Sequence, residues 1–291
     1  MSWNEIVVRF RGLADACVAG APLELPWAEF KAAVEATADR PPTHLHTVLD
    51  ELSLLEGTKG RESVCVLDHG TGTGINLFFL AALGYRHLWG ANVFDKAQAY
   101  NRIFNEILNI EGERIFVYDG EQLPLNDNCV DLVISQTVVE HVPDHLLETY
   151  YSEQGRVLRL SGRAVHQVPH RLMPYDSHTR TWFVHYVPAC LQRPLYKAFG
   201  DYPEQVGTLL FLRWPWVHRR LARRYIGPTF DRTSERLALS PDFDAFEGPQ
   251  TLRRVLDISF NAPAVGRLMR WLVSPLMMME SVSARRTDKQ T

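Results

Sequence analysis

Residues 64–74 read VCVLDHGTGTG, an apolar run ending in Asp68 followed by glycines at 70, 72 and 74. A β-branched run, a glycine turn and then the helical pattern INLFFLAALG describe a strand, a tight connection and a helix. In that layout a glycine lets the backbone approach a ligand that any Cβ would exclude. The spacing is GxGxG. Dinucleotide folds prefer GxGxxG, whose third glycine serves close helix packing while the helix N-terminus receives a pyrophosphate. A nucleotide-dependent dehydrogenase is weakened by that difference, though not excluded.

Further along lie more groups able to do chemistry. Asn92 closes the run HLWGAN, and Asp95 three residues later reads as a cap for the next helix. Asp119 and Gly120 follow RIFVY, a pair that on its own is more often a solvent turn. VVEHVPDH places His141 after the fourth strand, at the edge where parallel sheets gather ligands. Its alternative role is to brace the strand-to-helix turn. PHRLMPYDSHTRTWFVHYVP then groups His170, Asp176, His178 and His185 with aromatics. Imidazole and carboxylate also suit several metals, but these spacings match no known ligand pattern, so no metal is expected.

In order and spacing, these segments resemble the class I S-adenosylmethionine-dependent methyltransferases with a type 11 core, over roughly residues 45–170. The resemblance implies that Asp68, Gly70, Gly72 and Gly74 form the turn cradling the methionine part of S-adenosylmethionine. It implies that Asp119 accepts from the adenine amine, that Gly120 leaves room for the ring, and that Ser135 belongs to the cofactor site. Two departures stand out. Asn92 occupies the place where the family has an acid for the ribose hydroxyls, and a neutral amide makes the weaker contact. Ser161, Gly162 and Arg163 replace the usual Pro-Gly-Gly before strand five.

The elements that must position these residues are an alternation of short β-branched runs and longer helical patterns from residue 63 to 168. That alternation indicates an α/β fold, a Rossmann-like sheet with helices on both faces. Residues 1–58 read as a helical appendage, with Trp3, Ile6, Val7, Phe10 and Leu13 at helical spacing and Pro26 opening a second helix. Residues 59–170 form the cofactor-binding core. Residues 171–250 are an acceptor-side lid or insertion after strand five, and residues 251–291 supply a C-terminal helix and strands that complete the sheet. PWVHRRLARRYIG is a helix whose Arg219, Arg220 and Arg223 lie off its apolar face. The plain account is a solvated basic side; the sharper one is a grip on an anionic acceptor or on an anionic bilayer surface as a peripheral partner.

Composition narrows the classes. A formal charge of −3 gives no global basic field, so nucleic acid is not expected as a partner. Cys17, Cys65, Cys129 and Cys190 lie far apart without CxxC spacing, which favours free thiols and a reducing, cytoplasmic compartment. MSWNEIVVRF carries charges where a signal peptide needs its apolar core, and Arg267, Arg270 and Pro275 break the best candidate span.

The expected activity is therefore transfer of a methyl group from S-adenosylmethionine to a small-molecule or glycan-linked acceptor, at oxygen, with His141 or His178 as the base. Trp182 and Tyr186 are expected to wall the acceptor pocket. Carbon methylation of a quinone-type lipid and a catalytically inactive cofactor-binding scaffold are the alternatives.

Overall fold

The computed structural model describes residues 3–19, 27–37, 41–94, 100–109, 112–239, 250–262 and 265–286; Pro26 and Asp95 lie outside them. Helices α1 (Trp3–Val18), α2 (Trp27–Ala36) and α3 (His46–Lys59) come first. α2 buries Phe30 and Val34, and α3 buries Val48 and Leu52, four positions whose helical spacing turns them to one side.

Strands β1 (Cys65–His69), β2 (His87–Asn92), β3 (Ile115–Val117), β4 (Val130–Gln136) and β5 (Leu158–Val168) pair in parallel, joined by α4 (Ile75–Ala82), α5 (Asn101–Leu108) and α6 (Leu147–Val157). Period-two alternation sends Val66, Leu132 and Ile134 into a core shared with α3, α4 and α5. It sends Leu67, Val133 and Ala164 into a second core shared with α6. Both faces are apolar because helices cover both.

A small hairpin, β6 (Tyr175–Asp176) and β7 (Thr181–Trp182), and α7 (Ala189–Phe199) follow. Then come α8 (Pro215–Tyr225), β8 (Thr229–Asp231), α9 (Thr233–Leu239), α10 (Gln250–Asn261), α11 (Gly266–Val273) and β9 (Met279–Ala284). The large sheet runs β3-β2-β1-β4-β5-β9-β8, with β9 antiparallel to both neighbours. The segment 171–250 is thus not uniformly an insertion: α8 buries Leu221 and Ala222 in the α6-side core, and β8 joins the main sheet.

Strand order reverses between β1 and β4, and the crevice outside their carboxyl ends is where such a sheet takes a ligand. Those ends carry Asp68–Gly74 and Gln136–His141. The departure at residues 161–163 becomes a kink within β5, where Ser161 takes φ +68° and a Cβ on Gly162 would lie 2.8 Å from the Arg159 carbonyl oxygen. Among the described residues, no helix is long and apolar enough to cross a membrane.

Candidate active site

The turn after β1 is tied down by its backbone. Gly70 N and Thr71 N both donate to Ala91 O at the end of β2, at 2.8 and 3.1 Å. Gly70, Gly72 and Gly74 all adopt positive φ, +96°, +55° and +74°. Their surroundings differ. A Cβ on Gly70 would sit 2.3 Å from Val138 in the loop after β4, whereas one on Gly72 would meet nothing within 4 Å. Gly70 is therefore required by packing, and Gly72 by its conformation and by the open space beside it. Below them Asp68 is buried and accepts from Thr71 Oγ1 at 3.1 Å; burial pushes its carboxyl up to about 7.

Asn92 lies at the end of β2, where its Oδ1 accepts from Val93 N at 2.9 Å. Asp119 is exposed, and its Oδ1 accepts from Glu121 N and Gln122 N at 2.8 and 3.2 Å, which holds the carboxyl below the usual range. Half of this carboxylate thus organises the turn, leaving Oδ2 outward. Gly120 takes φ +87° beneath Leu146.

Ser135, expected at the cofactor site, turns its side chain away from the crevice. Its hydroxyl is fully buried and pairs with Tyr150 Oη at 2.8 Å, and Tyr150 in turn donates to His69 O at 3.1 Å. The side chain points into the α6-side core because it shares parity with Val133. It belongs to a buried polar network in which Gln154 donates to His69 Nδ1 at 3.1 Å and His69 Nε2 lies 2.6 Å from Tyr118 Oη. Burial pushes His69 down to about 3, so the ring is a neutral strut under the turn.

After β4, the short turn Val139–His141 aims two ionisable side chains at a third from the β6–β7 hairpin. Glu140 is completely buried, and neither of its oxygens finds a hydrogen-bond donor among the described residues. Burial pushes its carboxyl up to about 7. His141 Nε2 and His178 Nε2 stand 3.9 and 3.8 Å from Glu140 Oε1, and the two rings meet edge-on with centroids 5.1 Å apart. Each imidazole is held from behind. His141 Nδ1 lies 2.6 Å from Leu209 O, and His178 Nδ1 lies 3.2 Å from Asp176 Oδ1. Burial alone would raise Asp176, but hydrogen bonds from His178 and Thr179 outweigh it and keep the carboxyl low. Burial also pushes His141 down.

The structure thus brings His141 and His178 together, as neither sequence separation nor spacing indicated. It adds Glu140, which lay inside the quoted VVEHV, and sets Asp176, already grouped with His178 in the sequence, behind that ring. Of the other expectations, His170 and His185 line a small pocket, about large enough for one water, with Met173, Tyr175 and Asp176. Trp182 and Tyr186 are not among its lining: Trp182 packs on Tyr175, and Tyr186 Oη donates to Leu172 O at 2.6 Å. The segment before α3 also crosses the strand ends, where His44 O accepts from Gln136 and Gln167. No sequence signal marked this contact.

Residues 67–166 match the family model described as a methyltransferase domain. No curated protein matches the chain. Similar solved structures include a protein from Pyrococcus horikoshii OT3, 24% identical with a TM-score of 0.33, the match covering 43% of this chain and 54% of that one. A putative methyltransferase in complex with the Trm112 activator from Haloferax volcanii is 16% identical with a TM-score of 0.47, covering 90% and 98%. Geranyl diphosphate C-methyltransferase from Streptomyces coelicolor A3(2) is 13% identical with a TM-score of 0.48, covering 94% and 88%. Over residues 67–166 the chain is thus similar to methyltransferase domains of class I, whose cofactor is S-adenosylmethionine. The residues present fit that cofactor, since the turn at Gly72 leaves a cradle that a side chain would fill.

Proposed function

We propose that this S-adenosylmethionine-dependent methyltransferase methylates a hydroxyl oxygen of a small-molecule or glycan-linked acceptor. The observation that supports this reading is the Glu140, His141 and His178 cluster, reached from Gly70 through Val138. The cofactor supplies an electrophilic methyl on a sulfonium. A hydroxyl acceptor must also lose a proton, which a carbon or amine nucleophile needs less. In the neutral tautomer fixed by Leu209 O, His141 keeps its proton on Nδ1 and presents Nε2 as the base. Asp176 fixes His178 in the same sense. Gly72, Asn92 and Asp119 hold the cofactor, and the strap from Leu209 to Arg213 is fastened beside the buried Glu140 while His141 keeps an open side. Free thiols at Cys65, Cys129 and Cys190 accord with a reducing, cytoplasmic compartment.

The test is incubation of the protein with 13C-methyl-labelled donor and extracts of small molecules and glycans. A methoxy carbon in the product spectrum supports the reading; a label found only on carbon or nitrogen overturns it. Binding of the cofactor without transfer to any acceptor points to the scaffold alternative.

A second reading, carbon methylation of a lipid-borne quinone, is favoured by exposed apolar groups on α10 and α11, among them Val255, Ile258, Leu268 and Trp271. Flotation with anionic vesicles separates the two, because a water-soluble acceptor gives the enzyme no reason to bind lipid.

A further inference from the structure

Glu140, His141 and His178 present one ligand atom each, all within 4.8 Å of one another. We propose that these three residues bind a divalent first-row transition-metal ion through one Glu140 oxygen and the two histidine Nε2 atoms, with open positions for an acceptor oxygen. Three features carry it. First, Glu140 is a fully buried carboxyl with both oxygens lacking a donor among the described residues, a costly arrangement that a cation would relieve. Second, the histidine-to-Glu140 distances of 3.8 and 3.9 Å are too long for hydrogen bonds. Two ligand atoms about 2.1 Å from a tetrahedral ion stand about 3.4 Å apart, so each histidine must close on Glu140 by about half an ångström, and the two histidine nitrogens, within 4.8 Å of each other, must converge with them. Third, both imidazoles already have the backing that metal-bound histidines use: Nδ1–H donated to a carbonyl at Leu209 and to a carboxylate at Asp176, which directs the Nε2 lone pair forward.

Two imidazoles and one carboxylate suit zinc, iron and their neighbours better than magnesium or calcium, which prefer all-oxygen sites. His141 and His178 keep partly exposed side chains, 40% and 20%, so the outer side of the site stays open. The role of the ion rests on the hydroxyl-acceptor reading: an acceptor hydroxyl bound in an open position loses its proton more readily, and the ion takes over the activating task from a free histidine base. The binding itself does not rest on that reading.

The test titrates Zn2+ into the full chain, stripped beforehand with a chelator, by calorimetry with elemental analysis, and follows Co2+ by its visible absorption. One ion per chain is expected. Glu140→Gln, His141→Ala and His178→Ala should each weaken binding by more than the about 10- to 100-fold expected for Asp176→Asn, which removes only a backing group. His87→Ala, an exposed histidine at the start of β2, should bind as the parent does. Binding of S-adenosylmethionine reports that each variant is folded, and the exposed His141 is the safest substitution. No stoichiometric Zn2+ binding, or binding unchanged in both histidine variants, overturns the site and leaves the histidines as bases. One Zn2+ per chain together with methylation only at carbon overturns the hydroxyl reading and leaves the site standing.

Discussion

His141 donates its Nδ1–H to the carbonyl oxygen of Leu209 at 2.6 Å, joining the loop after β4 to a strand-free segment 68 residues downstream. Three further hydrogen bonds reinforce the join: Phe211 N donates to Glu140 O at 2.6 Å, and Arg213 donates to Val139 O and Val142 O at 3.0 and 2.6 Å. The segment beyond strand five is thereby fastened to the turn that carries the cluster.

With the cofactor proposed on the glycine turn and the acceptor proposed at the Glu140, His141 and His178 cluster, His141→Ala and His178→Ala should lower turnover by about 10²- to 10⁴-fold. Cofactor affinity should stay nearly unchanged, which separates this from general unfolding. Calorimetry with S-adenosylmethionine beside single-turnover assays checks both. Near-normal turnover in both variants would place the activating group elsewhere.

The glycines of the turn should fail in different ways. Gly70→Ala drives a methyl against Val138 and should lower the melting temperature. Gly72→Val meets open space, so the protein should remain folded at a strain cost on the order of 1–3 kcal/mol for φ +55°. It should nonetheless lose cofactor binding. Thermal melts paired with binding isotherms resolve the two outcomes, and unchanged affinity in a folded Gly72→Val variant would remove the turn from the cofactor site.

Asp68 makes the ligand-free protein pH-sensitive. Its carboxyl titrates near 3.8 when free and about 7 in the fold, so the native state holds the proton more tightly. That contribution to stability is present below pH 3.8 and is lost as pH rises through about 7, on the order of a few kcal/mol. Asp68→Asn should match the parent in melting temperature near the acidic end and exceed it above pH 7. A parallel pH series of melts measures this, and identical slopes would contradict the assignment.

Asp119→Ala should weaken cofactor binding more than Asn92→Ala, since a carboxylate accepts more strongly than an amide. Asp119→Asn keeps an Oδ1 to cap Glu121 N and Gln122 N, so it should preserve the turn while losing the charge. If Asp119→Asn binds cofactor as well as the parent, the residue serves the turn alone.

Much of the site was legible because its parts are local. A strand, a glycine turn and a helix are adjacent in sequence, and the GxGxG spacing itself calls for the three positive φ values at Gly70, Gly72 and Gly74. Asn92 was placed by the strand it ends and Asp119 by the strand it follows. The direction of the Ser135 side chain was not legible, for a physical reason. β4 is apolar on both faces, so no alternation in its sequence tells which way residue 135 points, and only the packing of Tyr150 decides it.

The sequence by itself determined the α/β alternation, the glycine turn after β1 and the carboxyl-end position of His141, because each depends on contacts a few residues apart. Tertiary structure alone decided that β9 inserts between β5 and β8, that His44 crosses the strand ends, and that Glu140 and His141 meet His178 from a separate hairpin. Those pairings span tens of residues, and their side chains carry no periodic signal. Burial of Glu140 is the sharpest case: an acid beside a histidine reads as a solvated turn until the strap at Leu209–Arg213 closes over it and removes the water that would have satisfied its oxygens.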